Sequence, residues 1–220
     1  MKRFFLIFTL AFVGSLGYGV YLSFEGQDLG DIEGRAEDDR VLNPSSVPIM
    51  VEMAAKNRQP ITISEKELNT WLANTLKVRQ EGQLADHVAL KGVWVRFDKE
   101  EGGRAEIIIE RDIKGRPHTT SMFVRVERKK KEDDSHTTYI HKDGGRLWGV
   151  LAVGGKFGKI RVPQGFLFFT QSGFRSLANL FEQELKWMEE EITTKGGGRI
   201  LFEEGQMRIT FPDEKADSSQ

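Results

Sequence analysis

Four histidines, 33 carboxylates and no cysteine are the chain's stock of groups for metal binding or acid–base work. His136 and His141 are five positions apart on an expected strand, so their side chains point to opposite faces. His87 and His118 have no carboxylate or second histidine nearby at ligand spacing, so solvated or loop histidines are expected and no metal site. Without cysteine there is no thiolate nucleophile, no disulfide and no thiolate metal site, so packing alone must hold the fold. The stretch Gly149-Val150-Leu151-Ala152-Val153-Gly154-Gly155-Lys156 is shaped like a phosphate-cradling loop. However, a second glycine precedes the lysine and Phe157 stands where the Mg²⁺-binding hydroxyl is needed. Glu182, Glu184, Glu189, Glu190 and Glu191 read as the solvated face of a helix. The basic run from Arg125 to Lys131 is nearly cancelled by Glu132, Asp133 and Asp134, as in a charged turn. With no nucleophile elbow, paired-carboxylate spacing or metal cluster, the sequence points to a role without catalysis, cofactor or metal.

The elements around these residues begin with the chain's strongest signal. Lys2 and Arg3 precede an uncharged, mostly apolar run from Phe4 to Phe24. About 20 such residues suffice to cross a bilayer as a helix. Positive charge on the short N-terminal side favours keeping that end in the cytoplasm. The rest of the chain is then expected beyond the inner membrane, on its periplasmic side. Gly14, Ser15, Gly17 and Gly19 would suit a signal-peptide cleavage site, whereas Tyr18, Val20, Tyr21, Leu22 and Phe24 continue the run as an uncleaved anchor would. Either alternative implies export. A net charge of −1, from 32 basic and 33 acidic residues, argues against general nucleic-acid affinity.

Residues 25–45 combine Gly, Asp, Glu and Ser and read as a flexible spacer after the anchor of residues 1–24. Residues 46–212 are expected to form one α+β domain of roughly 170 residues, with a frayed tail at 213–220. Val47 to Lys56 is apolar enough for a short helix or strand, interrupted by prolines. Ile61-Thr62-Ile63 is a short extended lead-in. Ser64 and Glu67 then form a capping box for a helix carrying Leu68, Trp71, Leu72, Thr75 and Leu76 on one face and ending near Gly82. β-rich runs follow at Leu90–Asp98, Arg104–Ile113, Thr119–Arg128 and Ser135–His141, then the nearly all-apolar Leu147–Val153, the pattern of an antiparallel meander. From Gly173, the residues Phe174, Leu177, Phe181, Leu185, Met188 and Ile192 recur at three- and four-residue steps, giving a second amphipathic helix that Gly196-Gly197-Gly198 ends. Two short strands, Arg199–Glu203 and Gln206–Phe211, close the domain around Gly205.

The stretch Ile61-Thr62-Ile63-Ser64-Glu65-Lys66-Glu67-Leu68-Asn69-Thr70-Trp71-Leu72 resembles the opening of exported bacterial TULIP-like lipid-binding domains, especially the YpmS-like single-pass membrane proteins. Gly155-Lys156-Phe157-Gly158-Lys159-Ile160-Arg161-Val162-Pro163 is similar to the strand that leads into the second helix of that family. The resemblance covers residues 61–212 in order of elements and these two stretches in residues. It implies a strongly curved sheet wrapped around a long helix, with an elongated apolar groove for lipid tails. Gly149, Gly154, Gly155 and Gly158 would let a strand bend sharply. This chain is shorter and has fewer strands than a closed tunnel requires, so a shallow groove or a filled core is expected.

The leading expectation is a membrane-anchored domain binding lipid or another amphiphile between sheet and helices. Its lining candidates are Val93, Val95, Ile107, Ile109, Val124 and Leu151 from strands, with Phe174, Leu177 and Phe181 from the helix. The cluster Phe166-Leu167-Phe168-Phe169 is read as core at the start of that helix, or as groove or membrane contact. The alternative is a structural or adaptor protein that docks on cell-envelope proteins and has a filled core and no ligand. A third reading, an envelope hydrolase, needs a polar constellation that the sequence does not display.

Overall fold

A computed structural model describes residues 2–42, 45–83, 90–98, 103–113, 116–130, 136–142, 153–163 and 198–211, with single positions between 174 and 192. Helix α1 spans Lys2–Phe24. It exposes Ile7, Leu10, Phe12, Val13, Leu16, Val20 and Tyr21. Among the described residues no helix is long and apolar enough to cross a membrane, and the side chains of residues 2–6 and 8 fall outside that set.

Helix α2 (Val47–Asn57) carries Pro48 in its first turn, where a missing N–H costs nothing, and buries Val47, Val51 and Ala54. Strand β1 (Ile61–Ser64) leads into α3 (Glu65–Gln83). The capping box forms as the sequence implies: Ser64 N–H donates to Glu67 Oε2 at 2.9 Å, and Glu67 N–H donates to Ser64 Oγ at 3.2 Å.

The strands make two antiparallel sheets. β1 pairs with β9 (Gln206–Thr210), which pairs with β8 (Arg199–Glu203), giving the order β1-β9-β8. The larger sheet runs β2 (Leu90–Asp98), β3 (Arg104–Ile113), β4 (Arg116–Lys130), β6 (Val153–Phe157), β7 (Ile160–Pro163). β4 is long enough to serve two partners along one edge. Its first half pairs β6 through Thr120–Met122, and its second half pairs β5 (His136–Lys142) from Val124 to Lys130. The fold is α+β, with the antiparallel meander expected. The lead-in Ile61–Ser64 joins the C-terminal hairpin and not the meander.

The main core gathers α2, β1, β8 and β9 over one face of the larger sheet. Val47, Val51, Ile63, Phe97, Ala105, Val124, Ile192, Ile200, Met207, Ile209 and Phe211 are all buried there. The expected second helix lies mostly outside the described residues. Its described positions Phe174, Arg175, Asn179, Gln183 and Lys186 are helical, and the last four, with Glu190, form an exposed stripe at steps of three and four. The stretches 84–89, 143–152 and 164–173, and the tail from 212, also lie outside. They include His87, Gly149, Leu151 and the Phe166–Phe169 cluster.

Residues 25–41, expected as a flexible spacer, are laid across the other face of the larger sheet. Leu29 and Ile32 are buried there against Trp94 and Ile108. Gly34 makes this path possible. Its φ of +76° suits glycine, and a Cβ there would meet Lys66 O at 2.6 Å. The composition is that of a linker, but two apolar side chains and a series of polar contacts are enough to fix the segment.

Candidate functional site

Adjacent strands of a sheet place every second residue on one face. Two faces of different chemistry therefore emerge from the register of β2, β3 and β4. Val93 pairs Ile109, Val95 pairs Ile107, Phe97 pairs Ala105, and Ile107 and Ala105 in turn pair Met122 and Val124. All of these point toward α2 and α3. The alternate positions Trp94, Arg96, Asp98, Arg104, Glu106, Ile108, Glu110 and Ser121 face residues 25–41.

On the apolar face, α3 covers one end with Leu72 and Leu76 over Val93, all buried. The main core covers the other end, with Phe97, Ala105 and Val124. Between the two lies a cross-strand row of Val95, Ile107 and Met122 that is only partly buried. Leu68 and Trp71 of α3 border it and touch both flanking clusters. The row continues to Gly155, opposite Met122, where a bulge between Val153 and Gly155 interrupts the pairing of β6 with β7. The result is an apolar seam at the centre of the sheet.

This sorts the sequence candidates. Val93, Ile109 and Val124 are buried in the packed clusters. Val95 and Ile107 line the seam. Phe174 is helical and half-buried, while Leu151, Leu177 and Phe181 lie outside the described residues. Met122, Leu68 and Trp71 belong to the seam as well. Met122 becomes visible as a lining residue only once the β3–β4 register sets it opposite Ile107.

The other face is a buried polar network. Glu106, almost fully buried, accepts from Arg96 Nη1 at 3.0 Å, Lys156 Nζ at 2.9 Å and the Ser121 hydroxyl. Glu110 accepts from Trp94 Nε1 at 2.8 Å and Arg35 Nη2 at 3.0 Å. Arg104 lies over the Phe123 ring at 4.0 Å, which gives a buried aromatic on this face a cationic lid. Lys156, the lysine of the glycine-rich stretch, thus sits on a strand and holds a carboxylate.

The start of α3 ties the two faces together at the outer edge of β2. Asn69 is fully buried and its amide stands in for a neighbouring strand. Nδ2 donates to Val95 O at 2.8 Å and Glu33 O at 2.9 Å, while Oδ1 accepts from Val95 N–H at 2.7 Å. Glu65 accepts from Phe97 N–H at 2.9 Å and Glu33 N–H at 3.2 Å. Burial pushes the Glu65 carboxyl above the ordinary carboxylate range, and the two N–H donors oppose that rise. A cleft of about 390 Å³ opens beside it, lined by Asp31, Glu33, Glu65, Arg96, Phe97, Asp98, Glu204 and Gly205. Among the described residues no group of three His, Asp or Glu side chains has metal-binding geometry.

His118 packs near Phe24, with ring centroids 6.3 Å apart, and burial together with the Arg111 charge lowers its pKa. His136 and His141 pair with Lys130 and Arg125 across β4 and β5. No family model, curated protein or solved structure matches this chain.

Proposed function

We propose that this chain is a single-pass protein of the cytoplasmic membrane whose extracytoplasmic domain shelters a lipid tail or similar amphiphile, without bond chemistry. The observation that carries this reading is the seam. Val95, Ile107 and Met122 stay partly open at the centre of a sheet whose flanking rows are closed. Each methylene moved from water into such a surface is worth about 0.8 kcal/mol. The TULIP-like resemblance of residues 61–72 points the same way. The spanning reading of α1 is supported by the uncharged, mostly apolar sequence from Phe4 to Phe24 behind Lys2 and Arg3, and by the exposed apolar side chains from Ile7 to Phe24. A non-enzymatic role is supported by the way Glu65, Glu106 and Glu110 are each committed to structural hydrogen bonds.

Mass spectrometry of the full chain after exhaustive detergent exchange tests the reading. About one lipid or amphiphile per chain is expected to remain, and the double substitution Ile107→Phe and Met122→Phe, which fills the seam, should remove it. Wild-type protein that is repeatedly free of lipid, or retention unaffected by filling the seam, would count against the groove. The adaptor reading is favoured by Ile49 and Met53, one turn apart and exposed on α2. Clean protein whose membrane partners are lost on Ile49→Glu would favour it.

A further inference from the structure

The end of α1 does not swing free of the domain. Leu22 O accepts from Lys159 N–H at 3.1 Å, and Lys159 Nζ pairs with Glu25 Oε2 at 3.1 Å. Gly158, with φ of +52°, lies so close under the helix end that a Cβ would meet Glu25 O, Leu22 O and Ser23 O within 2.6 Å. One turn earlier, Ile160 Cδ1 lies 3.9 Å from where a Cβ on Gly19 would stand. On the other side Phe24 packs by His118, and Gly26 lies against the Pro117 carbonyl. The turn between β6 and β7 and the start of β4 thus form a socket around residues 19–26.

The rim of that socket is basic. Arg116, Lys159 and Arg161 are exposed, and Arg111 and His118 lie just inside. The acidic groups nearby are Glu25, already paired with Lys159, and Asp112 on β3. The opposite end of the sheet carries the cleft of Asp31, Glu33, Glu65, Asp98 and Glu204, with Arg96 paired to Asp31 and Arg104 to Asp98. The exposed cations Arg116, Lys159 and Arg161 are thus gathered where the apolar helix emerges.

From this we infer that the socket rim is a membrane seat. Arg116, Lys159 and Arg161 lie against anionic phosphate-bearing head groups of the leaflet from which α1 emerges, with Ile160 just inside the hydrocarbon boundary. The inference rests on the spanning reading of α1. Gly19 precedes Phe24 by five residues, about 7.5 Å of helix. If the apolar run fills a hydrocarbon core about 30 Å thick and ends at its edge, Ile160 beside Gly19 reaches about 7.5 Å below that edge, within range of a head-group quencher, while Lys159 beside Leu22 and Glu25 sits at head-group depth. Basic side chains on long stems suit that level, since their methylenes lie along apolar surface while the charge stays wet. Each cation held near an anionic surface favours the seated state about fivefold.

The absence of cysteine allows the test to be made on the full chain. Single cysteines at Phe12, Ile160 and Leu201 carry an environment-sensitive fluorophore in vesicles of mixed phosphatidylglycerol and phosphatidylcholine, with quenchers at three depths. The seat predicts deep quenching at 12, head-group quenching at 160 and aqueous quenching at 201. It also predicts that head-group quenching at 160 falls fivefold or more in pure phosphatidylcholine, or in the variant R116Q/K159Q/R161Q. Aqueous quenching at 160 with a buried probe at 12 overturns the seat and leaves the span intact. Aqueous quenching at 12 overturns the span and the seat together. Head-group quenching at 160 that is indifferent to lipid charge and to the triple variant overturns the anionic head group as partner.

Discussion

The two faces of the larger sheet are built from the same alternating strands and closed in opposite ways. On the face under α2 and α3 the inward residues Val93, Val95 and Phe97 of β2 and Ala105, Ile107 and Ile109 of β3 are apolar, and the covering helices bring apolar stripes of their own. On the other face a strap of residues 25–41 brings only Leu29 and Ile32, and Arg96, Glu106, Glu110 and Lys156 are matched by hydrogen bonds and ion pairs. Area removed from water stabilises the first face, and it tolerates a row as incompletely covered as the seam. The second is stabilised by complementarity, because each buried charge is costly unless its partner is in place. A polar position in an alternating strand is therefore not a solvent-facing one by default; here it marks a face whose cover must also be polar.

The largest effect expected from this contrast is at Ile109, fully buried on the apolar face. Ile109→Ala should cost about 3 kcal/mol through lost transfer energy and a cavity, read as a lower denaturation midpoint of the full chain in detergent. A loss under about 1 kcal/mol would mean that this face is loosely packed. Next is Glu106→Gln, which leaves Arg96 and Lys156 facing a neutral amide. Roughly 2 kcal/mol of destabilisation is expected, together with faster proteolysis of residues 25–41 as the strap loosens. Equal stability would show that the network is effectively solvated, and the contrast between the faces would fail.

The smallest effect concerns the clamp that joins the faces. The Glu65 carboxyl titrates above its unfolded value because it is buried, so the folded protein takes up this proton first as pH falls. Stability from this group rises as pH is lowered from neutral through the folded pKa and levels off below the unfolded one. Asp39 works in the opposite sense: hydrogen bonds from Lys66 and from Gly34 N–H lower its pKa, so its contribution is lost as pH falls through the folded value. Subtracting the stability-versus-pH curve of Glu65→Gln from that of the wild type isolates the first effect. A flat difference between neutral and weakly acidic pH would place Glu65 in water.

Local patterns were readable in the sequence because they depend on neighbours. The Ser64–Glu67 box, the apolar face of α3 and the runs of β2, β3, β8 and β9 all follow from spacing of a few residues. What escaped depends on distant partners. Asn69 and Thr70, polar residues on an amphipathic helix, are buried because β2 and the strap close over them. Leu29 and Ile32 are too sparse to mark the strap as folded, and Ile61–Ser64 carries no sign that its partner is the last strand. The seam was half legible. Alternation put Val95 and Ile107 on the face under α3, but the same alternation put Val93 and Ile109 there, and only the position of α3 separates partly buried from buried.

Asn69 and Glu65 have a further consequence for self-association. An unpaired outer strand can template growth by adding the same strand from another molecule, the step that begins a fibril. On β2 three of the groups that would receive such a strand, the amide and carbonyl of Val95 and the amide of Phe97, are already occupied by side chains of the chain itself. Asn69→Ala would uncover two of these groups, and such a variant should be judged by its tendency to polymerise as well as by its melting point.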